Sequence, residues 1–165
     1  MVAANIKQNY LSPIEFRFLI QRLPYTEFFT QSVNVPGVSL NATEMATPFK
    51  TLYFSGDNIT YNEFTVNVRV DENMNNYQEI LNWMIGMTFP DNFDQYANLT
   101  EGDGIYSDAT LMIMTNGKNS NIQIVMKDIF PTSLGDIQLN TTAGDVDFAS
   151  CDITFKIGSY EIRPL

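Results

Sequence analysis

The chain has no histidine and a single cysteine, Cys151, among its 165 residues. The first absence excludes imidazole general bases, Ser-His-Asp and Cys-His arrangements, and His-ligated metals. The second leaves no intramolecular disulfide and no thiolate zinc cluster. Positive charge is scarce as well. Nine Lys and Arg stand against 19 Asp and Glu, a formal net charge of −10. A surface that grips phosphates needs clustered Lys and Arg, so stable nucleic-acid binding is not expected; passage of nucleic acid along the surface is still open. No apolar run approaches the roughly 20 residues of a transmembrane helix. Residues 1–10 are polar and lack the apolar stretch of a secretory signal, so no membrane insertion and no secretory leader are expected. Asn-x-Thr triplets start at Asn41, Asn58, Asn98 and Asn140. In an Asn- and Thr-rich chain without a signal peptide they carry almost no weight.

What is present is apolar and periodic. Hydrophobic residues make up 44% and aromatics 13%, enough for a folded chain. The length suits one domain over residues 1–165. The dominant period is two. Phe64, Val66, Val68 and Val70 alternate with Glu63, Thr65, Asn67 and Arg69. Ile122, Ile124 and Met126 alternate with polar neighbours, as do Cys151, Ile153, Phe155 and Ile157 with Asp152, Thr154 and Lys156. Phe16, Phe18 and Ile20 begin the pattern. Such runs predict strands with one buried and one wetted face. Residues 28–35 and 109–114 are further strand candidates. The second runs into Asn116 and Gly117, a hairpin signal that makes 109–114 and 121–127 antiparallel neighbours.

One segment is helical. Across residues 73–87, Tyr77, Ile80, Leu81 and Met84 follow the i, i+3, i+4, i+7 spacing of one face. Asn73 or Asp71 is the expected cap, with Glu72 at the positive end. Gly86 and the Phe89–Pro90 step terminate it. Trp83 falls off the main stripe and is expected to cover a sheet edge or face a partner. Residues 39–61 and 88–107 carry no regular pattern and predict long loops, a class often functional or interface-forming.

A search for chemistry finds no convergent site. Asp71 and Glu72 adjoin at a strand-to-helix junction, where capping is the expected role. The acids of 91–108 lack the ligand ladder of an EF-hand, so a solvated acidic loop is expected there. Gly102 and Gly104 do not sit between a strand and a helix, and an acidic loop is electrostatically wrong for phosphate. Cys151 lies on the apolar face of its strand and predicts an inert thiol. No catalytic residue, metal or cofactor is expected; a structural or binding module fits better than an enzyme.

Three stretches, in order, resemble the tail tube proteins of contractile-tailed bacteriophages. The first is 16–21 (FRFLIQ), then 28–37 ending in Val35, Pro36 and Gly37, then a long loop reaching 54–57 (FSGD). The second is 63–72 (EFTVNVRVDE) followed at once by the helix through Trp83. The third is 130–139 (FPTSLGDIQL), ahead of a last long strand over 147–160. The resemblance spans residues 16–160, apart from the 88–107 loop, onto which nothing is carried. It implies a mainly β domain, an antiparallel β-sandwich or barrel with one flanking α-helix. It implies homohexameric rings stacked into a hollow tube. The implied partners are a tail sheath, a baseplate or tube initiator, and a tape-measure protein, with DNA only in transit. The implied place is a virion tail assembled in the host cytoplasm.

The residues suggest how such a tube would be built. Open sheet edges joining between subunits would close a barrel around the ring. Glu63, Thr65, Asn67, Arg69, Asp152, Thr154 and Lys156 are candidates for the lumen, which the net charge predicts to be acidic and therefore repulsive to DNA. Residues 1–14 form an N-terminal arm, 39–61 the inter-ring loop and 88–107 an acidic surface loop. Phe49, Tyr53, Phe54 and Trp83 are the candidate contacts between rings or subunits, against the alternative that the loop aromatics fold back on their own core. Competing readings are a baseplate or tube-initiator protein of the same fold, and a soluble β-sandwich that binds carbohydrate through Tyr and Trp. A calcium- or carboxylate-dependent hydrolase fits least.

Overall fold

The computed structural model describes residues 10–11, 13–88, 104–115, 117–139, 141 and 148–165. The proposed acidic loop falls largely outside these, as do most of the N-terminal arm and Asn116. Nine strands and two helices follow one another among the described residues: β1 (Phe16–Ile20), α1 (Pro24–Phe29), β2 (Thr30–Val33), β3 (Val38–Ala46), β4 (Thr51–Tyr61), β5 (Phe64–Arg69), α2 (Asn75–Met87), β6 (Ser107–Met114), β7 (Ser120–Leu134), β8 (Ser150–Lys156) and β9 (Ser159–Pro164). All pairings are antiparallel. The architecture is mainly β, as the alternating runs predict.

The long strand β7 belongs to two layers. Its first half lies between β6 and β9, with β1 beyond β6. Its second half, Phe130 to Leu134, pairs with β8, which continues to β5 and β2. Asp128, at φ +55°, marks the joint, and its N–H donates to Asp108 Oδ1 at 3.3 Å. Asp tolerates the left-handed region better than most side chains, which suits a bend inside a strand.

The apolar parities of both layers face each other. Phe18, Ile20, Leu111, Ile113, Ile124 and Met126 come from the first layer. Phe64, Val66, Val68, Cys151, Ile153 and Phe155 come from the second. Phe64 stacks on Phe155 with centroids 5.1 Å apart and meets Phe18 edge-on at 6.1 Å. Burial of side chains this size contributes about 1.5–3 kcal/mol each, which is what strands without intrinsic core need to stay paired.

Helix α2 closes the sandwich with Ile80 buried and Tyr77 and Met84 packed against the core, as the spacing predicts, but the buried stripe is shifted toward Trp83. The buried residues are Asn76, Ile80, Trp83 and Gly86, whereas Leu81 is exposed. Trp83 is 3% exposed, packs 6.4 Å from Phe155 and donates from Nε1 to the Ile105 carbonyl at 3.0 Å. It belongs to the core and has almost no surface for a neighbouring subunit, which corrects its assignment as a contact residue. The expected caps differ too. The helix starts after Met74 with no side-chain cap. Instead, buried Asn76 ties the helix to the preceding strand, donating to the Arg69 carbonyl at 2.7 Å and accepting from the Asp71 N–H at 3.2 Å.

Other boundaries also move. Residues 28–35 are not one strand: Pro24 opens the short helix α1, and β2 begins only at Thr30. Pro is favoured in the first turn because its missing N–H has no partner there anyway. The last expected strand splits into β8 and β9 around Gly158. Strands β6 and β7 are adjacent as expected, joined by a turn in which Lys118 N donates to the Thr115 carbonyl at 2.8 Å.

Candidate assembly surfaces

Residues 39–61 are the largest departure from the sequence reading. They are not an irregular loop but most of a hairpin, β3 paired with β4 from Val38↔Tyr61 to Ala46↔Thr51. At about 3.3 Å per residue the longer strand extends over roughly 35 Å. The pair forms a separate two-stranded sheet. Every residue of β3 is exposed, and on β4 only Leu52, Gly56 and Tyr61 are partly covered. Thr47 and Lys50 close the turn, with Thr47 N donating to the Lys50 carbonyl at 3.1 Å.

The aromatics of this hairpin do not fold back on the core. Phe49, at the tip, is 97% exposed, Tyr53 68% and Phe54 54%. Val38, Leu40, Met45 and Ile59 are exposed beside them. Near the base the apolar pairs are Val38↔Tyr61 and Leu40↔Ile59; toward the tip Met45 pairs with Leu52 and Phe54 with Thr43, on the opposite parity. The change of face spans an irregularity between Leu40 and Ala42, where Gly56 lies against Asn41. A Cβ at Gly56 would run into the Asn41 carbonyl oxygen, so the FSGD stretch needs glycine for a close backbone approach.

The seven lumen candidates fall on one face. In the β5–β8 ladder Thr65 pairs with Thr154 and Asn67 with Asp152. Asn67 Nδ2 donates to Asp152 Oδ1 at 2.7 Å, and Lys156 Nζ lies 3.4 Å from Glu63 Oε1. With its amide turned to satisfy both ends, Gln31 on β2 donates to Asn67 Oδ1 at 2.9 Å and accepts from the Arg69 guanidinium. That guanidinium also lies over the Phe148 ring, 4.5 Å from its centroid. Beneath this face Cys151 is 4% exposed; burial first, then the Asp152 charge, pushes its thiol pKa up, as expected of an inert cysteine.

Few charged residues stand on the strands of this face, with exposed Asp136 just beyond the end of β7. Strands β2, β5, β8 and the second half of β7 carry only Arg69, Asp152 and Lys156 as charged residues, and Glu63 directly precedes β5.

The edges of the two layers differ. The first layer ends on β9, where Glu161 and Arg163 form an exposed ion pair of 2.6 Å. The Arg163 hydrogen bond, with Lys127 nearby, lowers the Glu161 carboxyl pKa. Charges on an edge strand discourage further pairing. The second layer ends on β2, whose residues Thr30–Val33 are uncharged, and on the uncharged second half of β7. Among the described residues no group of three or more acids or Cys is placed to hold a metal, and no helix is long and apolar enough to cross a membrane.

By sequence, no family model and no curated protein matches the chain. By structure the matches are extensive. The chain superposes on the tube-terminating cap of the anti-feeding prophage with a TM-score of 0.69 at 14% identity, covering 100% of this chain and 99% of that one. The fold is that of contractile tail tubes. A chain of the sheath–tube complex of the PVC extracellular contractile injection system matches this tail tube fold at TM-score 0.65 and 14% identity, over 96% and 95% of the two chains. A chain of the PVC sheath/tube terminator matches at 0.61 and 17% identity, over 94% and 99%.

Proposed function

We propose that this protein is a structural subunit whose rings stack into the inner tube of a contractile particle. The exposed β3–β4 hairpin is the observation that carries the reading. A two-stranded ribbon is marginal by itself in water, and this one presents apolar side chains on both faces. Its stable state is therefore one in which other copies cover it. Phe49, Tyr53 and Phe54 are the contacts it offers to an adjacent ring. The uncharged edges β2 and second-half β7 suit lateral pairing, so that the four-stranded layer continues from copy to copy around the ring.

Six copies per ring, a sheath outside, a baseplate below and a tape-measure protein or DNA within complete this reading, with a phage tail or a related extracellular particle as its place. The test is electron microscopy of the purified protein over a concentration series, beside a variant carrying Phe49→Ser, Tyr53→Ser and Phe54→Ser. Hollow tubes from the native chain, reduced to single rings or monomers in the variant, support it. Single native rings that never stack would move the protein to an initiator or terminating position. Native monomers at every concentration would overturn the polymerising role. A carbohydrate-binding β-sandwich would then have to use the exposed tyrosines, since Trp83 is in the core.

A further inference from the structure

The first layer has an open strand at each end. Among the described residues β1 pairs only with β6, and β9 only with β7. The Glu15 carbonyl accepts from Met114 N–H at 2.9 Å, and Gln21 N–H donates to the Asp108 carbonyl at 3.1 Å. In the register that connects these two bonds, Arg17 and Leu19 also bond toward β6, and Phe16 and Phe18 turn their N–H and C=O groups outward. The open stretch ends at Ile20, whose carbonyl accepts from Leu23 N–H at 3.1 Å. At the other end Leu165 N–H donates to the Asn121 carbonyl at 3.0 Å. Arg163 and Glu161 continue that ladder, so Tyr160 and Ile162 turn their backbone groups outward.

The side chains at the two ends are complementary. Ile162 lies opposite Ile124 on the core parity, yet it is 60% exposed where Ile124 is 3%. Phe16, on the core parity of β1, is only partly buried. The outer parity carries Glu15 then Arg17 on one strand and Glu161 then Arg163 on the other. Beside β1 is a groove lined by Phe16, Phe18, Pro24, Thr30 and Met114. Thr30 opens β2, so the groove connects this edge to the one proposed above for lateral pairing.

We infer, resting on the ring-subunit reading above, that β1 of one copy pairs antiparallel with β9 of the next. Phe16 then lies opposite the partner's Ile162 and Phe18 opposite the partner's Tyr160, and the first layer also continues around the ring. Strand direction allows it, because β1, β6, β7 and β9 alternate. The register meets three demands together. The outward backbone groups of the two strands face each other. Phe16 covers the exposed Ile162 on the core face. Glu15 faces the partner's Arg163, and Arg17 faces the partner's Glu161, the opposite-charge pairing that stabilises a ladder. A slip of two residues one way sets Arg17 against the partner's Arg163; the other way it sets Glu15 against the partner's Glu161. A slip of one sets apolar against charged side chains. Arg17 already lies 3.5 Å from Glu27, and Glu161 lies 3.9 Å from Lys127, so the joined edge gathers three acids and three cations. The charges of β9 reject an indiscriminate strand, but β1 carries the matching set. A contact between two different edges is heterologous and is complete only when the ring closes.

The experiment uses the full chain. Arg17→Cys with Glu161→Cys places thiols at a non-hydrogen-bonded position, where Cα atoms approach to about 4.5 Å, within disulfide reach. Inside one chain these strands are three spacings apart, about 14 Å, too far to bridge. Oxidation of the assembled protein should give a ladder of covalent oligomers that stops at the ring's copy number, counted by electron microscopy. The slipped pair Arg17→Cys with Arg163→Cys should cross-link about tenfold less, and buried Cys151 stays silent. A ladder running past one ring, equal cross-linking of the slipped pair, or none in tubes that form normally overturns the inference and leaves tube formation standing. Failure of the native chain to assemble at all removes the ring-subunit reading itself.

Charge exchange gives a second readout that needs no cysteine. Arg17→Glu sets two acids opposite each other and should raise the concentration for half-maximal assembly about tenfold, with the denaturation midpoint unchanged. Adding Glu161→Arg should return it to within about threefold of the native value. A single variant that assembles like the native chain, or a double variant no better than the single one, overturns the pairing.

Discussion

The β5–β8 ladder and the β3–β4 hairpin are both antiparallel pairs rich in Thr, Asn and large apolar residues, yet they differ in what covers them. In the ladder, Phe64, Val66, Val68, Cys151, Ile153 and Phe155 are all buried, and the opposite parity is polar. In the hairpin neither parity is covered, and apolar residues lie on one face near the base and on the other toward the tip. A strand pair becomes a stable part of a fold only when one face is taken from water. The ladder finds that cover inside its own chain. The hairpin finds little of it there, which is why the proposed assembly role falls on it.

Changes in the two regions should therefore separate stability from assembly. Phe155→Ala, in the ladder, should cost about 3–5 kcal/mol, the range for emptying a buried aromatic site, seen as a lower denaturation midpoint. The hairpin triple Phe49→Ser, Tyr53→Ser, Phe54→Ser should change unfolding by no more than about 0.5 kcal/mol while abolishing tubes. A matching loss of monomer stability would erase the contrast. Asn76→Ala should come next, at about 1–3 kcal/mol, because it removes the bonds to the Arg69 carbonyl and the Asp71 N–H that attach α2 to the ladder.

Gly56→Ala sharpens the comparison from the other side. The added methyl meets the Asn41 carbonyl and must open the hairpin locally. Tube length by electron microscopy should fall sharply, with a change of less than about 1 kcal/mol in global unfolding, as expected for a site outside the core. The smallest effect is electrostatic. Burial raises the Glu79 carboxyl pKa above its ordinary 4.5, and its Oε2 is buried without a hydrogen-bond partner. The folded state then holds the proton more tightly than the unfolded chain. Stability should decline as pH rises from 4.5 through the raised folded value. Glu79→Gln should flatten that decline in denaturant titrations; an unchanged pH profile would refute the assignment.

The ladder was legible because one-sided burial writes period two into a sequence. The hairpin was not, for the same reason. With both faces exposed in the single chain and the apolar side switching at the Gly56 irregularity, no sustained alternation marks residues 39–61. The existence of α2 was legible, but its buried face was displaced. Polar Asn76 occupies a core position that hydrophobic spacing passes over, and Trp83 lies one position off the apparent stripe. Helix α1 is only six residues long, too short to show a period, and Pro24 was its one signal. Among the candidate site residues, the seven polar ones could be named from parity, whereas Trp83 was misplaced.

Composition alone excluded histidine chemistry, disulfides and thiolate clusters, and alternation alone identified the strands and the side of each that is apolar. Those are local properties, carried by residue type and by the two-residue period of the extended chain. Tertiary structure decided which strand lies beside which, because pairing across tens of residues depends on packing of the whole core. It joined β5 to β8, placing Asn67 against Asp152 and Glu63 against Lys156. A chain with net charge −10 thereby sets an acid against a cation at Glu63 and Lys156, since which charges meet depends on strand order and not on their total.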